Sequence, residues 1–524
     1  MAEQLAVSST DTLKLVQPQA VIARAKAGVT AFIGRALKGP VNQAVVIRCS
    51  EDYRRVFGGL WQPSTLSYAI EQYFENGGEE CLVVRVCNGA RAPTLRLAAG
   101  AERLTLIGLS PGTREFLRAS VDYDGIGAQE TDRFNLVIQR VRAPGSELIE
   151  EQEIFPRLSI LPGAERNVLD TLSDSRLMRV LGPLPSQRPA PSASPAGGAG
   201  YTWCNADGDD GDPLSNYDII GDATRGSGLF ALRCAEPFNF LYVPPLARDR
   251  DVGLPALLVA LRLCRERQAM LLLDPPMDWS DAAGVLRSLR AWPLFSEDAL
   301  MFYPRLVAFD RLRGREEIFA PGATAAGLLV QLTARCPVWS AAADDELVLR
   351  VGARPAAIVT DLDRVRLAQG GVNVLHTVRT AVRARAGLRT LLPEAAGKSE
   401  WRYAAARRLA LFVMTSIERG TRWALFEPQG ATLWAQLRAQ VGAFFEALQD
   451  DGAFVGRSAE ENYFVLCDER LNARSEGTGA GVQLLFGFAV SRPGEFHTCL
   501  VRHGAGGSSV RTVSVNRYAL PHHA

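Results

Sequence analysis

The stretch SEWRYAAARRLALFVMTSIERGTRWALFEPQGATLWAQLRAQVGAFFEALQDDGAF, residues 399–454, decides how the chain is read. Ala405, Leu409, Phe412, Val413 and Ile417 recur at helical spacing, with Arg402, Arg407, Arg408 and Arg419 largely off that face. Gly420 suits the left-handed residue that ends a helix. Thr421 to Phe426, TRWALF, reads as a short strand broken by Glu427-Pro428. A second helix follows, with Leu433, Leu437, Val441, Phe444, Phe445 and Leu448 on one stripe and Gly452 at its end. The pattern predicts a compact α+β domain with its own core and no catalytic constellation.

Working outward, the bulk numbers exclude several classes. At 524 residues the chain is too long for one core, and roughly three or four domains are expected. The net charge of +1 gives no global field to recruit nucleic acid or an anionic membrane. No run of uncharged apolar residues is long enough to span a bilayer. The opening MAEQLAVSSTDTLKLVQ lacks a basic segment followed by an apolar one, so no secretory signal is expected. The 9 cysteines form no Cys-x-x-Cys pair. Cys81, Cys87, Cys264, Cys336 and Cys467 read as small buried hydrophobes, reduced as in the cytoplasm.

The chain order fills in the architecture. GVTAFIGRALKGPVNQAVVIRCSEDYRRVFGG and SYAIEQYFENGGEECLVVRV give a β-β-α-α-β layout over residues 28–93, beginning with a buried strand at Val29 to Ile33. Residues 94–180 change texture to short alternating strands, LRASVDYD, FNLVIQRV and SELIEEQEIF, which predict an inserted β-rich domain. Residues 181–200 are rich in Pro, Ala, Ser and Gly and read as an exposed linker or loop. Over 201–397, apolar strands alternate with helices at Gly253 to Arg267 and Asp281 to Ala291, as in a parallel, helix-covered sheet. ALMFYPRLVAFD reads there as one buried strand.

These phrases resemble a known family. EWRYAAARRLALFVMTSIERGTRWALFEP, LWAQLRAQVGAFFEALQDDGAF, ENYFVLCDE and SRPGEF, in that order, are similar to the C-terminal domain of contractile tail sheath proteins. TAFIGRALKGPVN and YFENGG resemble the N-terminal signature of that family, and FNFLYVPP, LLDPP, FYPR, FAPGATAAGLL and VWSAAA its central domain. The resemblance implies an α/β multidomain fold. Its parts would be an N-terminal arm (1–27), the start of the α/β core (28–93), an outward-facing insert (94–180) and a linker (181–200). A subtilisin-like, non-catalytic parallel-sheet domain (201–397), an α+β inner domain (398–503) and a C-terminal extension (504–524) would follow. Three departures stand out. SPGTREFLRASVDYD lacks the usual Trp-Gly-Asn, VRTAVRARAGLRTLLPEAAGKSEW keeps only Arg389 to Leu391 of its phrase, and no Pro-Gly-Val-Tyr opens the chain.

The chemistry tests favour a structural role. A Ser-His-Asp hydrolase needs an imidazole beside a serine and a carboxylate beside the imidazole. Of the 5 histidines, His376 and His497 lack a serine elbow, His503 borders a Gly-rich hinge, and His522 and His523 end the chain. Ala206 to Asp212, ADGDDGD, offers Asp207, Asp209 and Asp210 but not the spacing of a calcium loop. Gly477 to Gly481 reads as a flexible hairpin, Gly504 to Gly507 as a hinge, and Asp274-Pro275-Pro276 as a structural turn after a buried strand. No enzyme activity, metal or cofactor is expected.

What the resemblance implies is a subunit that polymerises as stacked rings around an inner tube and contracts from a metastable state to drive the tube through a target envelope. Expected partners are further copies of itself, the inner tube protein, and baseplate and terminal cap proteins, without nucleic acid or membrane insertion. Assembly in the cytoplasm, as part of a phage tail or phage tail-like particle, follows. Leu13, Lys14, Leu15 and Val16 at one end and Val510, Arg511, Thr512, Val513, Ser514 and Val515 at the other are the candidate exchanged strands. Arg402, Arg407, Arg408 and Arg438 are the candidate contacts to an acidic tube. Two alternatives stay open: a specialised sheath paralogue at the baseplate or distal end, and a hydrolase on a sheath-like scaffold.

Overall fold

A computed structural model describes residues 21–192, 200–340, 347–350, 352–377, 387–393, 399–472 and 481–514. The chain divides into two compact units. The larger comprises Lys26–Pro337 and Ala341–Ala404; the smaller comprises Met1–Ala25, Val338–Ser340 and Ala405–Ala524.

The larger unit is built on continuous apolar strands. β1 (Thr30–Gly34), β2 (Ala44–Ile47) and β3 (Cys81–Arg85) come from the N-terminal block. The segments TAFIG and CLVVR are buried along their whole length, as strands covered on both faces must be. After the insert, four more strands extend the same sheet. Its order, naming those strands by residue, is Val372–Val374, Ala299–Tyr303, Met270–Leu273, Phe240–Tyr242, β1, β3, β2. Neighbours run parallel except β2, which pairs antiparallel with β3. Helices α1 (Ser50–Phe57) and α2 (Thr65–Glu75) connect β2 to β3. Ser64 caps α2 through Ser67 N.

The insert holds β4 (Thr94–Ala99), β5 (Glu102–Gly108), β6 (Leu117–Asp122), β7 (Arg133–Val141), β8 (Ile149–Ser159), α3 (Val168–Ser173), β9 (Met178–Val180) and β10 (Thr202–Trp203). They form two antiparallel sheets, β10-β6-β7-β8 and β4-β5-β9. Both sheets feed one core that includes Leu97, Leu106, Ala119, Phe134, Leu136, Ile138, Leu172 and Met178. The described part of the Pro/Gly-rich linker is bonded to this body: Ser186 to Glu102, Ala190 N to Ala98 O and Ser192 N to Val121 O. The chain enters and leaves the insert side by side, through bridges between Asn88 and Asp212 and between Arg91 and Asp209. The acidic loop closes this neck. Asp207 accepts from Thr94 N and Oγ1, and Asp210 accepts from Thr113 N and Oγ1 at 2.8 Å each.

The rest of the larger unit follows in order: α4 (Asn216–Ile220), β11 (Phe240–Tyr242), α5 (Leu254–Arg267), β12 (Met270–Leu273), α6 (Ala282–Ser288), β13 (Ala299–Tyr303), β14 (Leu306–Asp310), β15 (Arg315–Phe319), α7 (Gly322–Arg335), β16 (Ala353–Pro355), α8 (Asp361–Gln369) and β17 (Val372–Val374). ALMFYPRLVAFD is two strands, correcting the single-strand reading. Pro304, which has no N–H for a ladder, lies between them, and β14 leaves to join the separate sheet β15-β14-β16. Ala256, Ala260 and Cys264 of α5 and Ala282 and Val285 of α6 pack on the face that carries Ala31, Ile33, Leu241, Leu271 and Met301. α7 is rich in small residues, and Gly322 to Val330 are all buried. A Cβ on Gly327 would lie 2.4 Å from the Tyr73 carbonyl of α2, so the glycine lets these two helices close.

In the smaller unit, α9 (Ala404–Gly420, whose first residue falls in the larger unit) and α10 (Ala431–Asp450) accompany an antiparallel sheet of β18 (Tyr463–Leu466), β19 (Gln483–Ala489), β20 (Phe496–Gly504) and β21 (Gly507–Thr512), in that order. Phe445 is the hub. It stacks on Tyr463 at 4.8 Å and meets Phe486 and Phe488 at 6.0 and 6.1 Å. Phe464 lies over its cross-strand partner Gly487, where a Cβ would sit 2.1 Å from the ring.

Four sequence expectations change here. Arg422–Phe426 is a 3₁₀ turn, not a strand: Thr421 N and Oγ1 both bond Ile417 O, which prolongs helical geometry. Gly420 is absent from the left-handed glycines; a Cβ there would meet Ile22 at 2.8 Å, so it is small for packing. Arg407 and Arg408 do not lie on a solvent face but are 7% and 8% exposed, because α9 is buried on nearly every side. Gly504 to Gly507 is no hinge, since Gly504 pairs with Gly507 across the two-residue turn Ala505-Gly506. Gly477 to Ala480, most of the expected flexible hairpin, lie outside the described residues.

Close packing at Gly322 gives a clear expectation. A Cβ there would stand 2.2 Å from the Tyr242 ring, whereas one on Gly442 of α10 meets nothing within 4 Å. Gly322→Ala should cost about 2 kcal/mol or more in urea unfolding, and Gly442→Ala should be neutral or stabilising by up to about 1 kcal/mol. Equal effects would contradict this packing.

Candidate functional site

The candidate exchange segment at the C-terminal end is the outermost strand of the smaller unit. Val510, Arg511 and Thr512 belong to β21 and pair with Val501, Leu500 and Cys499 of their own chain. Val513 N donates to Thr498 O at 2.9 Å. Because bonded pairs alternate along an antiparallel ladder, Arg511 and Ser509 also face β20. The N–H groups of Ser508, Val510 and Thr512 then point to the open edge, where no strand pairs among the described residues. Ser514 is described without a ladder partner, while Val515 and Leu13 to Val16 lie outside the described residues.

Side chains lock this strand in place. Thr421 Oγ1 donates to Ile417 O at 2.6 Å, so its oxygen accepts from His503 Nε2 at 2.8 Å. His503 Nδ1 is then the acceptor for the Ser508 hydroxyl at 2.7 Å. The chain Ser508–His503–Thr421–Ile417 ties β21, β20 and the end of α9 together. Burial, reinforced by the Arg422 charge, draws the His503 imidazole down to about 4. Burial and the Arg407 charge do the same to His497, whose Nε2 lies 3.3 Å from Thr512 Oγ1. A serine beside an imidazole was not legible in the sequence, because only the hairpin register brings Ser508 opposite His503. The third position is held by a threonine rather than a carboxylate, and a base near 4 is poorly matched to neutral pH.

The candidate tube contacts separate. Arg407 and Arg408 are buried, and burial draws Arg408 down to about 10. Arg438 donates to the Cys467 carbonyl. Arg402 falls in the larger unit, where its Nε donates to Ser399 O at 3.3 Å. Among the described residues no cluster of side chains suits a metal ion, and no helix is long and apolar enough to cross a membrane. All 9 cysteines are free; Cys81, Cys264, Cys467 and Cys499 are buried, and Cys87 and Cys336 are half-buried.

Asp274, directly after β12, joins the sheet to α7 in the larger unit. It accepts from the Tyr242 hydroxyl at 2.8 Å and from Gly322 N, at the first turn of α7, at 2.9 Å. Burial pushes its carboxyl up to about 6, against the pull of Arg305 and these two donors.

With this geometry in hand, the chain can be set beside known proteins. It superposes on a sheath tail protein from Listeria innocua with a TM-score of 0.59, covering 94% of this chain and 96% of that one at 14% identity. This is the tail-sheath fold. A sheath tail protein from Desulfitobacterium hafniense gives a TM-score of 0.50 at 12% identity over 96% and 100% of the two chains. The sheath complex of an extracellular contractile injection system, PVC, in its contracted state gives 0.50 at 16% identity over 94% and 97%. No protein-family model and no curated protein matches the sequence. The sheath fold thus spans both units, and a mixed sheet with several antiparallel ones is part of it.

The buried imidazole sets a pH dependence. His503 is 1% exposed, and its folded pKa of about 4 lies below the ordinary value near 6.5. The unfolded chain therefore takes the proton first. The contribution is complete above about pH 6.5 and is lost as pH falls towards 4, by about 3 kcal/mol in all. Urea unfolding at pH 7 and pH 4.5 should show a smaller acid loss for His503→Gln than for the wild type. Identical acid losses would mean that His503 is not held neutral in the fold.

Proposed function

We propose that this chain is the structural subunit of a contractile tail sheath. It would stack in rings around an inner tube and drive that tube forward by repacking from a metastable extended state into a shorter, wider cylinder. One observation carries the reading: the sheath fold accounts for most of the chain, 94% of it against 96% of a sheath tail protein. A shared fold does not by itself assign a role. Support also comes from the sequence phrases of both units, set far apart in the chain, and from an outer strand with open hydrogen-bonding groups. The energy source is packing free energy stored during assembly in the cytoplasm, without a cofactor. Neighbouring copies, the inner tube protein, and the baseplate and cap of a tail-like particle are its partners. The larger unit's parallel sheet corresponds to the subtilisin-like domain of the family.

The inter-subunit link is strand addition at the open edge of β21, continued by Val513 to Val515, with Leu13 to Val16 as the complementary arm. Each added main-chain bond contributes about 0.5–1.5 kcal/mol net. Truncation after Arg502 is a poor test, because it removes the buried His503 and Val510. Thr512→Pro is sharper. It deletes an outward N–H and the Thr512 hydroxyl's contact with His497 while sparing the main-chain bonds to β20, so the chain should fold yet fail to polymerise. Normal sheaths from that variant would remove β21 from the link.

Electron microscopy of the protein alone, and then with its inner tube protein, tests the function. Striated cylinders, short and wide when formed spontaneously, are expected. Chains that never polymerise but bind a tube end would instead assign the specialised position at the baseplate or distal end.

A further inference from the structure

The N-terminal segment is seated on the smaller unit, beside its open edge. Ala25 N donates to Ser416 Oγ of α9 at 3.0 Å, Arg24 pairs with Asp451 at the end of α10, and Ile22, 3% exposed, packs on Gly420. Traced back from Ala25 to Ile22, the backbone thus follows α9 to its last residue, and Val21 then leaves the body at 89% exposure. Gly420 is followed by Thr421, which bonds His503 of β20, and His503 pairs with Ser508 of β21. Ile22 therefore roots the segment next to the β20–β21 hairpin, all within one unit.

Ser508, Val510 and Thr512 present N–H groups on that edge with no strand against them among the described residues, and an open edge invites pairing with any β-prone chain. The sequence supplies a strand of matching pattern within reach. Leu13-Lys14-Leu15 alternates apolar and polar residues, as a strand with one covered face does. β21 has the same two faces, with Val510 buried and Ser509 and Arg511 exposed. Fully extended, the stretch from Val16 to Ile22 spans about 20 Å, enough to pass Thr421 and His503 and arrive at β21. We propose that in the unassembled chain Leu13 to Val16 pairs with the open edge of β21 in its own chain, and that polymerisation exchanges this strand for the same segment of a second copy. Bonds given up within one chain are remade in the next, which is the logic of domain swapping. The arm is then autoinhibitory: it keeps bare edges from joining before assembly. The exchange rests on the strand-addition reading; the contact within one chain does not.

Hydrogen exchange on the dilute, unassembled chain tests the contact. In the wild type, the amides of Ser508, Val510 and Thr512 should exchange roughly tenfold or more slowly than in a full-length variant carrying Lys14→Pro and Leu15→Pro. Adjacent N–H groups point to opposite sides of a strand, so one of the two prolines must remove a bond to β21. The protection should not change on further dilution. Equal rates in the two chains overturn the proposal, whether fast, with the edge bare, or slow, with another segment covering it. Protection that fades on dilution overturns it too, because a second copy then supplies the strand. Normal sheaths from a wild-type chain whose edge is bare before assembly leave strand addition intact and remove only the contact within one chain. A protected monomer that never polymerises keeps that contact and overturns the sheath reading.

Discussion

The larger unit depends on one buried carboxylate. Parallel strands need cover on both faces, and the cover must be fixed as well as apolar. Asp274 supplies the fixing. From the end of β12 it reaches the last residue of β11 and the first turn of α7, where a negative group also meets the positive end of a helix. Gly322 admits Tyr242 at a distance that no side chain would tolerate, and Gly327 lets α7 close on α2. Around this point, α7 sits down on the sheet as a helix of small residues, which would have little hold if it packed by bulk alone.

The smaller unit solves a different problem. Its last strand is short, carries Ser508, Ser509 and Thr512, and buries only Val510 deeply. Apolar contact alone would hold it weakly. The hydroxyl–imidazole chain through His503 converts the strand's polar residues into attachments, so the hairpin stays closed while its far edge remains available. Keeping that imidazole neutral is the condition for the arrangement, and the Arg422 cation helps to impose it.

Much of this was legible in the sequence where a single rule dominated. Continuous apolar runs such as CLVVR and MLLL announced buried strands, and alternation in FNLVIQRV announced a half-covered one. Legibility failed where tertiary context outvoted local pattern. TRWALF has strand-prone residues, yet Thr421 found a helical carbonyl at Ile417 before any strand edge. Arg407 and Arg408 read as solvent-facing because periodicity marks an apolar stripe but cannot tell how many sides of a helix are covered. The histidine chain was invisible because Thr421 and His503 are far apart in sequence and meet only after the register of β20 and β21 is set. The open edge of β21 was half legible: its β-prone residues were plain, but not that a tight turn folds it back on its own sheet.

The neck of the insert carries a consequence of its own. The chain enters and leaves that β-rich body through two adjacent, antiparallel segments, and the acidic loop fastens them by side chain to backbone, Asp207 at Thr94 and Asp210 at Thr113. The insert is therefore a side branch rather than a link in the main sheet. Its size, loops and surface can drift, or be replaced by another folded body with neighbouring ends, without shifting the register of any strand in the seven-stranded sheet. The scaffold is free to keep its geometry while this side branch is rewritten.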